Sequence, residues 1–186
     1  MWNGACMEKI DLLVPFRTII LDAGPIIHLD ELGCLSLLSD FDELFVPDAV
    51  WEEVEHHRPA ALTGAGLPFT KRNAGVFQNY VFALRDAFNL DRGETEAISL
   101  CFAHPQALLL TDDAAVRLAV AASGLRVHGT IGILIRAVRR KQLTPAKVIE
   151  HLEAIPYKST LFIKRSLLKQ IIEKLRTEHG LQVYRR

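Results

Sequence analysis

The chain has 186 residues, of which 49% are hydrophobic and 24% charged, enough for one domain with a real core. Its 22 basic and 22 acidic residues cancel, which excludes the global basic field of a nucleic-acid coat protein. No apolar run reaches the about 20 residues that span a bilayer, so we expect no membrane partner. Three scattered cysteines (Cys6, Cys34 and Cys101) predict free thiols in a reducing cytoplasm.

Hydrophobic periodicity predicts strands that alternate with helices. Pro25 falls in the first turn of the first helix, and Gly124 caps the helix that follows the third strand. The predicted elements are a strand over 18–21, a helix running through Leu38, a strand over 44–46, a helix over 47–57, a loop over 58–75, helices over 76–88 and 91–104, a strand over 107–110, a helix ending at Gly124, a strand over 125–127, and helices over 131–140, 145–154 and 164–178.

This alternation predicts an α/β fold with a mostly parallel sheet that is covered by helices on both faces. We expect an N-terminal extension over residues 1–16 and one α/β domain over residues 17–155. Residues 156–186 should form a C-terminal helical extension that packs on or near the same domain.

Acidic residues recur where the predicted strands end or where the following helices begin. In chain order they are Asp22, Glu52, Glu53, Glu94, Glu96, Asp112 and Asp113. Ligands of open α/β sheets bind beyond the carboxyl ends of the strands, so this topology can bring the acids to one rim. Clustered carboxylates repel one another unless a cation balances them. An oxygen-only set suits Mg²⁺ or Mn²⁺, which can activate water toward a phosphodiester.

Several of these acids also have a purely structural interpretation. Asp22 can cap the first helix, and one of Asp112 and Asp113 can cap the helix that follows them. Asp91, with Glu94 three residues later, resembles a capping box. Both interpretations remain open for Asp22, Asp112 and Asp113, whereas Asp91 is interpreted as a cap.

Helical geometry limits how many of the paired glutamates can face one site. Glu52 and Glu53 are neighbours and point about 100° apart, so at most one of them faces the site well. Glu94 and Glu96 stand roughly 200° apart and should not share a role equally. Glu52 and Glu53 can equally form part of a solvated helix face.

Five segments, taken together, resemble the PIN-domain family, specifically its DUF3368-type branch of toxin-like proteins. They lie in the family's order between about residues 17 and 155, and they are Ile19-Ile-Leu-Asp-Ala-Gly-Pro-Ile-Ile-His-Leu29, Phe45-Val-Pro-Asp-Ala-Val-Trp-Glu-Glu-Val54, Leu90-Asp-Arg-Gly-Glu-Thr-Glu-Ala-Ile98, Leu110-Thr-Asp-Asp113 with Arg117 beyond, and Gly129-Thr-Ile-Gly-Ile-Leu134. The resemblance implies a parallel five-stranded α/β/α sandwich. It also implies a Mg²⁺- or Mn²⁺-dependent endoribonuclease with an RNA substrate, and a small antitoxin as a partner.

The resemblance assigns roles residue by residue. Asp22 matches the first metal-binding aspartate, Glu53 the second acid and Asp113 the fourth. Glu53 fits better than Glu52 because it follows Val50 by three. The third acid stays open between Glu94 and Glu96, so both count as candidate catalytic residues.

Further candidates surround this set. Asp112 is a neighbouring candidate metal ligand, Thr111 matches a hydroxyl residue that can hydrogen-bond a carboxylate or water, and Arg117 is a candidate supporting residue. A basic run ends one of the last helices and can track an RNA backbone, although a solvated helix face explains it equally well; it comprises Arg136, Arg139 and Arg140. The chain is also compatible with a homodimer.

Two rival functions follow from the same fold class. A phospho-aspartate phosphatase of the haloacid-dehalogenase type needs an aspartate two residues after Asp22, and position 24 is glycine. The acidic pair and strand-end lysine of a receiver domain are also missing. The other rival is a non-catalytic PIN-like module that binds RNA or a partner protein through the acidic rim.

Overall fold

The structure is a computed structural model that describes residues 17–75 and 78–181. Strands and helices alternate along most of this length. They are β1 (Thr18–Leu21), α1 (Ala23–Glu31), a 3-10 helix (Leu35–Asp40), β2 (Glu43–Pro47), α2 (Asp48–His57), α3 (Pro59–Thr63), β3 (Phe69–Arg72), α4 (Asn79–Phe88), α5 (Arg92–Ala103), β4 (Leu108–Leu110), α6 (Ala114–Ala122), β5 (Arg126–His128), α7 (Thr130–Arg139), α8 (Pro145–Lys158) and α9 (Arg165–Glu178).

The five strands form one parallel sheet in the order β3-β2-β1-β4-β5. The chain builds outward from β1 to β3, then crosses back to place β4 on the other side of β1. Leu21 pairs with Leu110 in the β1–β4 register. Asp22 and Thr111, one residue further along, therefore emerge side by side at the point where the strand order reverses, which is where open α/β sheets bind ligands.

Two hydrophobic layers cover the sheet, because successive strand residues point to opposite faces. Ile19 and Leu21 lie in the larger layer, which also includes residues of α1, α2, α7, α8 and α9. Ile20 and Leu109 lie in the smaller layer, which is closed by α5 and α6. The predicted three-layer α/β/α sandwich is confirmed.

The predicted helix through Leu38 is wrong at its C-terminal end. The helix α1 ends at Glu31, and Gly33 follows its C-cap with φ +66. That left-handed backbone suits glycine and stops the helix. The leucines that continue the apolar pattern belong instead to a separate 3-10 helix, in which Leu35, Leu37 and Leu38 are buried.

The predicted loop over 58–75 is also wrong, since it contains α3 and β3. The strand β3 pairs only with β2, in the register Leu44↔Phe69, and lies at the edge of the sheet. Its sequence, Phe-Thr-Lys-Arg, has no buried residue. An edge strand of this kind lacks the apolar run by which buried parallel strands are identified.

The C-terminal helices pack on the same domain. The boundary predicted after residue 155 falls inside α8. Leu168, Ile171 and Leu175 of α9 are buried in the larger core layer. Each helix of the described residues is too short or too polar to cross a membrane. Cys34 and Cys101 are buried free thiols, whereas Cys6 and the predicted extension over residues 1–16 lie outside the described residues.

Candidate functional site

Asp22 is the N-cap of α1 and lies directly after β1. Its Oδ1 accepts a hydrogen bond from the Ala23 N–H at 2.8 Å, and its Oδ2 accepts one from the Thr111 hydroxyl at 2.7 Å. The pKa of Asp22 is raised to about 6, chiefly by burial. The charges of Glu53 and Asp91 raise this pKa as well, whereas the two hydrogen bonds lower it. The helix cap and the acidic neighbourhood therefore coexist at this residue.

Asp91 and Glu94 form the predicted capping box at the start of α5. Asp91 Oδ1 accepts from the Glu94 N–H at 2.8 Å, and Glu94 Oε2 accepts from the Asp91 N–H at 2.9 Å. The pKa of Glu94 is raised to about 7, chiefly by burial. The charges of Asp91, Asp113 and Asp22 also raise this pKa. Glu94 thus faces the other acids while it caps its helix.

Glu53 approaches these acids from α2 and is exposed to solvent. Its pKa is raised by burial and by the charge of Asp91, against a lowering effect of His57. Gly93 lets α2 and α5 approach, since a Cβ there would lie 3.2 Å from Val50 Cγ2. The same Cβ would lie 3.5 Å from Asp91 Oδ1 and 3.9 Å from Glu53 Oε2. Both carboxylates therefore border Gly93.

Asp113 joins the group from the opposite side, as the N-cap of α6. Its Oδ1 accepts from the Ala115 and Val116 N–H groups at 2.7 and 2.9 Å. Its own N–H donates to the Thr111 hydroxyl at 3.1 Å, and that hydroxyl in turn donates to Asp22. Thr111, which is fully buried, links the first and fourth acids. Its predicted hydrogen bond to a carboxylate is present in the structure.

Asp112 points away from these acids and fastens other elements together. Its Oδ1 accepts from the Thr130 N–H at 2.9 Å, and its Oδ2 accepts from the Thr130 hydroxyl at 2.5 Å. His28 Nδ1 lies 2.9 Å from the same Oδ2. A Cβ on Gly129 would overlap Asp112 Oδ1 and lie 3.2 Å from the Thr111 carbonyl oxygen. Asp112 thus connects α1, β4 and α7.

Glu96, like Asp112 and unlike Glu94, uses both of its oxygens to hold other elements together. It is buried, with 6% of its surface exposed. Its Oε2 accepts from the Ala49 N–H at 2.8 Å, and its Oε1 accepts from Arg92 Nε at 2.9 Å. Both oxygens are therefore used to hold the start of α2 against α5. Arg92 also lies 3.6 Å from Glu52 Oε2, which places Glu52 on the solvent side of that helix.

The structure thus separates the acids at this edge of the sheet into two groups, apart from Glu52, which lies on the solvent side of α2. Asp112 and Glu96 hold other elements together through both oxygens. Asp22 also accepts hydrogen bonds at both oxygens, but the charges of other acids act on it. In the other group, the charges of neighbouring acids raise the pKa of Asp22, Glu53 and Glu94. Within residues 17–75 and 78–181 no member of this group forms an ion pair; the members are Asp22, Glu53, Asp91, Glu94 and Asp113. As positioned, no three His, Cys, Asp or Glu side chains of the described residues form a group that could hold a metal ion. Unbalanced carboxylates repel one another and stand apart.

The basic candidates occupy different positions. Arg117 lies next to the site, where its Nη1 donates to the Thr111 carbonyl oxygen at 3.4 Å. Arg136 is 2% exposed and pairs with Asp40, so it does not lie on the RNA-binding surface that the sequence predicts. Arg140 also pairs with Asp40, at 3.0 Å. Only Arg139 of the predicted run is exposed without an ion pair to a described residue.

Two members of the site neighbourhood were missed as functional candidates. Asp91 was interpreted as a cap alone, yet its charge raises the pKa of Asp22, Glu53 and Glu94. The signal in the sequence for its place near the site was its position three residues before Glu94. Arg92 was not singled out, because nothing in the sequence shows that a cation at this position bridges two helices.

Comparison with known proteins identifies the family. The model of the DUF3368 family, described as a PIN domain, matches residues 18–177. That span includes all five strands and all but the last residue of α9. No curated protein and no solved structure matches the chain. The chain therefore belongs to the PIN-domain family, whose members are generally metal-dependent nucleases that bind RNA.

Proposed function

We propose that this protein is an endoribonuclease that hydrolyses RNA phosphodiesters with a Mg²⁺ or Mn²⁺ ion held by Asp22, Glu53, Glu94 and Asp113. One observation carries the proposal. Carboxylates without ion-pair partners among the described residues converge where the sheet reverses its strand order. Burial raises the pKa of Asp22, Glu53 and Glu94, and the charges of neighbouring acids raise it further. A divalent cation would relieve the repulsion between these acids, and this donor set contains only oxygen.

The donor inventory supports Glu94 over Glu96 as the third acid. Glu94 uses one oxygen in its capping box, which leaves the other without a described partner. Both oxygens of Glu96 are engaged by Ala49 and Arg92. Glu96 and Asp112 are therefore proposed as positioning residues. Glu96 holds the helix that carries Glu53, and Asp112 holds the segment that follows β4.

The chain's own residues have distinct tasks in this proposal. The Thr111 hydroxyl orients Asp22 by donating to its Oδ2, and Thr111 also receives the Asp113 N–H. The N-termini of α1, α5 and α6 point at the acids, so that their helix dipoles favour negative charge there. When bound, the ion would act as a Lewis acid on the phosphodiester and on the attacking water.

The primary test is cleavage of a panel of structured RNAs with Mn²⁺ by the wild type and Asp22→Asn. We expect metal-dependent cutting that Asp22→Asn reduces by about a thousandfold or more, since several kcal/mol of charge stabilisation are lost. Glu53→Gln should cut poorly, whereas Glu55→Gln, an exposed acid on the same helix, should cut normally. Equal cutting by wild type and Asp22→Asn would contradict the proposal.

A second comparison tests the choice of the third acid. Glu94→Gln should lose activity and metal affinity while its melting temperature does not fall below that of the wild type. Glu96→Gln should lower the melting temperature, because a buried amide would face both Arg92 and the Ala49 N–H. If Glu96→Gln were inactive at full stability and Glu94→Gln active, the two assignments would be exchanged.

The alternative is a binding module without catalysis, and one observation favours it. The acids as positioned do not form a ready group of three ligands. No Mn²⁺ binding by calorimetry, together with no cutting of any RNA, would favour this alternative.

A role as the toxin of a toxin–antitoxin pair is a finer proposal. It predicts growth arrest on expression of the wild type, no arrest with Asp22→Asn, and an adjacent gene for a small antitoxin.

A further inference from the structure

The connection between α8 and α9 displays two aromatic rings in solvent. Tyr157, in the last turn of α8, and Phe162, in the connection, are each 89% exposed. They are the two most exposed large hydrophobic side chains of the described residues, ahead of Leu118 at 64%. Single exposed apolar side chains are common, but neighbouring ones in a short segment can form a patch of the kind that marks a binding surface.

The segment is held firmly against the domain, so these rings are not on a loose loop. Glu31, the last residue of α1, accepts from the Ser159 hydroxyl at 2.9 Å and from the Thr160 N–H at 2.7 Å. Leu161 and Ile163 pack against the larger core layer, and Phe162 between them points outward. The alternation fixes Phe162 in an exposed position.

The segment that carries these rings contains cations but no acid of its own, although Glu31 of α1 lies against Ser159 and Thr160. No acidic residue occurs from position 154 to position 172, although acidic and basic residues balance in the chain as a whole. The same stretch contains four cations, and among the described residues none of the four forms an ion pair; they are Lys158, Lys164, Arg165 and Lys169. By contrast, nearby cations outside the stretch, such as Lys147 and Arg176, are paired with glutamates.

We propose that Tyr157, Phe162, Lys158, Lys164 and Arg165 form a binding surface for single-stranded RNA, which we call the aromatic patch. The inference rests on the proposed ribonuclease function and names where its substrate is held outside the acidic site. Single-stranded nucleic acids bind where bases stack on exposed aromatic rings and phosphates meet unpaired cations. A purely apolar protein interface would not require the unpaired cations, and a duplex-binding surface would not require the rings.

The position of the aromatic patch suits this role. Helix α1 begins beside Asp22 and ends at Glu31, which holds the patch segment. The nine residues of α1 place the two regions roughly 14 Å apart along its axis. A separation of this order is within the reach of a short single strand that follows the surface. The patch would retain the substrate, while the acids act on it.

The test measures RNA binding without metal, so that it does not depend on cleavage. Fluorescence anisotropy would follow a labelled oligouridine binding to the full chain in EDTA, alongside an abasic strand of equal length. Tyr157→Ala/Phe162→Ala should weaken oligouridine binding by about tenfold or more, since each stacked base contributes substantially. The same variant should lose the preference for oligouridine over the abasic strand. Leu118→Ala, on another face, should change neither.

The cations are tested separately by salt dependence. Lys158→Ala/Lys164→Ala should reduce the slope of log K against log salt by about 1.4, the value for two phosphate contacts on a single strand. Unchanged oligouridine binding by the aromatic variant would overturn the proposal, even if the wild type cuts RNA with Mn²⁺. Failure of the wild type to bind the oligouridine would overturn it as well. Concentration-dependent self-association that the aromatic variant abolishes, with RNA affinity unchanged, would identify a protein interface instead.

Discussion

Two charged clusters lie at opposite ends of the sheet. Buried charge is neutralised by an opposite charge in one cluster and not in the other. At the amino ends of the strands, the buried Arg136 is neutralised by Asp40, which also pairs with Arg140. At the carboxyl ends, Asp22 and Glu94 face other acids and have raised pKa values. Burying an unpaired charge is costly, so a fold keeps one only where a ligand supplies the counter-charge.

The difference separates a structural charge from a functional one. Asp40 neutralises Arg136 and Arg140 within the protein. Burial tends to raise the pKa of Asp40, but Arg140 and Arg136 lower it by more, so that the net shift is downward. By contrast, Asp22, Glu53, Asp91, Glu94 and Asp113 have no such partner among the described residues. The Asp40 cluster should therefore govern stability, and the rim should govern metal binding. Three experiments test this division.

The largest expected effect on stability is from Asp40→Ala. This variant leaves Arg136, whose Nε and Nη2 already have no hydrogen-bond partner in the structure, without its counter-charge. We expect a loss of about 3–5 kcal/mol in the free energy of unfolding, measured by urea denaturation. Asp42→Ala is the matched control, since Asp42 and Arg17 are exposed by 69% and 83% and such pairs contribute about 0–1 kcal/mol. Equal effects of the two substitutions would refute the structural role of Asp40.

An intermediate effect is expected from Thr111→Val at the rim. The substitution keeps the buried shape but removes the hydroxyl that donates to Asp22 Oδ2. Groups that orient metal ligands typically change metal affinity by about 10–100-fold, so Mn²⁺ binding by calorimetry should weaken by that factor. Thr177→Val, which removes a hydroxyl from the exposed side of α9, serves as the control. Undiminished Mn²⁺ affinity in a folded Thr111→Val protein would remove Thr111 from the site.

The smallest effect concerns the pH dependence of stability without metal. The pKa of Asp22 is raised from 3.8 to about 6, so the folded state binds its proton more tightly than the unfolded state. This stabilisation is complete below about pH 4 and is lost as the pH rises through about 6. Metal-free Asp22→Asn should therefore melt several degrees Celsius above the wild type at about pH 8.

The same comparison should show no gain at about pH 3, where Asp22 is protonated in both states. Melting temperatures in EDTA across this range provide the measurement, with Glu55→Gln as a control for surface charge. A constant difference between wild type and Asp22→Asn at all pH values would mean that the charge on Asp22 is not the cause. Added Mn²⁺ should reverse the order, because the ion stabilises only the protein that binds it.

Much of the fold could be predicted because its central strands are short apolar runs that end at turn or cap residues. The strand β1 was predicted with its observed bounds, and Asp91 was predicted as a cap. The edge strand β3 could not be identified, since Phe69–Arg72 is polar and has one neighbour. The break in α1 depended on the positive φ of Gly33, which is one of several conformations that a glycine can adopt.

The position of the site could be predicted from the sequence, but the separate roles of its residues could be predicted only in part. Parallel strands place Asp22 and Asp113 at one edge whatever the details of packing. Spacing alone could not separate Glu94 from Glu96, because the distinction lies in the Ala49 N–H, 47 residues away in the sequence. Arg136 resembled a surface cation for the same reason, since its partner Asp40 is 96 residues distant. The exposure of Tyr157 and Phe162 could not be predicted either, because it depends on how Leu161 and Ile163 pack against the core.

Gly129 illustrates how this architecture constrains the protein's evolution. A Cβ at this position would overlap Asp112 Oδ1, while Asp112 itself is held by Thr130 and His28. A side chain at position 129 therefore becomes acceptable only after Asp112 has been replaced by a shorter residue. That replacement would in turn remove the contacts of Asp112 with α1 and α7. The two positions are epistatic, so a mutational path that changes one without the other passes through a defective intermediate. Sequence drift around the rim should consequently retain Gly129 and Asp112 as a pair.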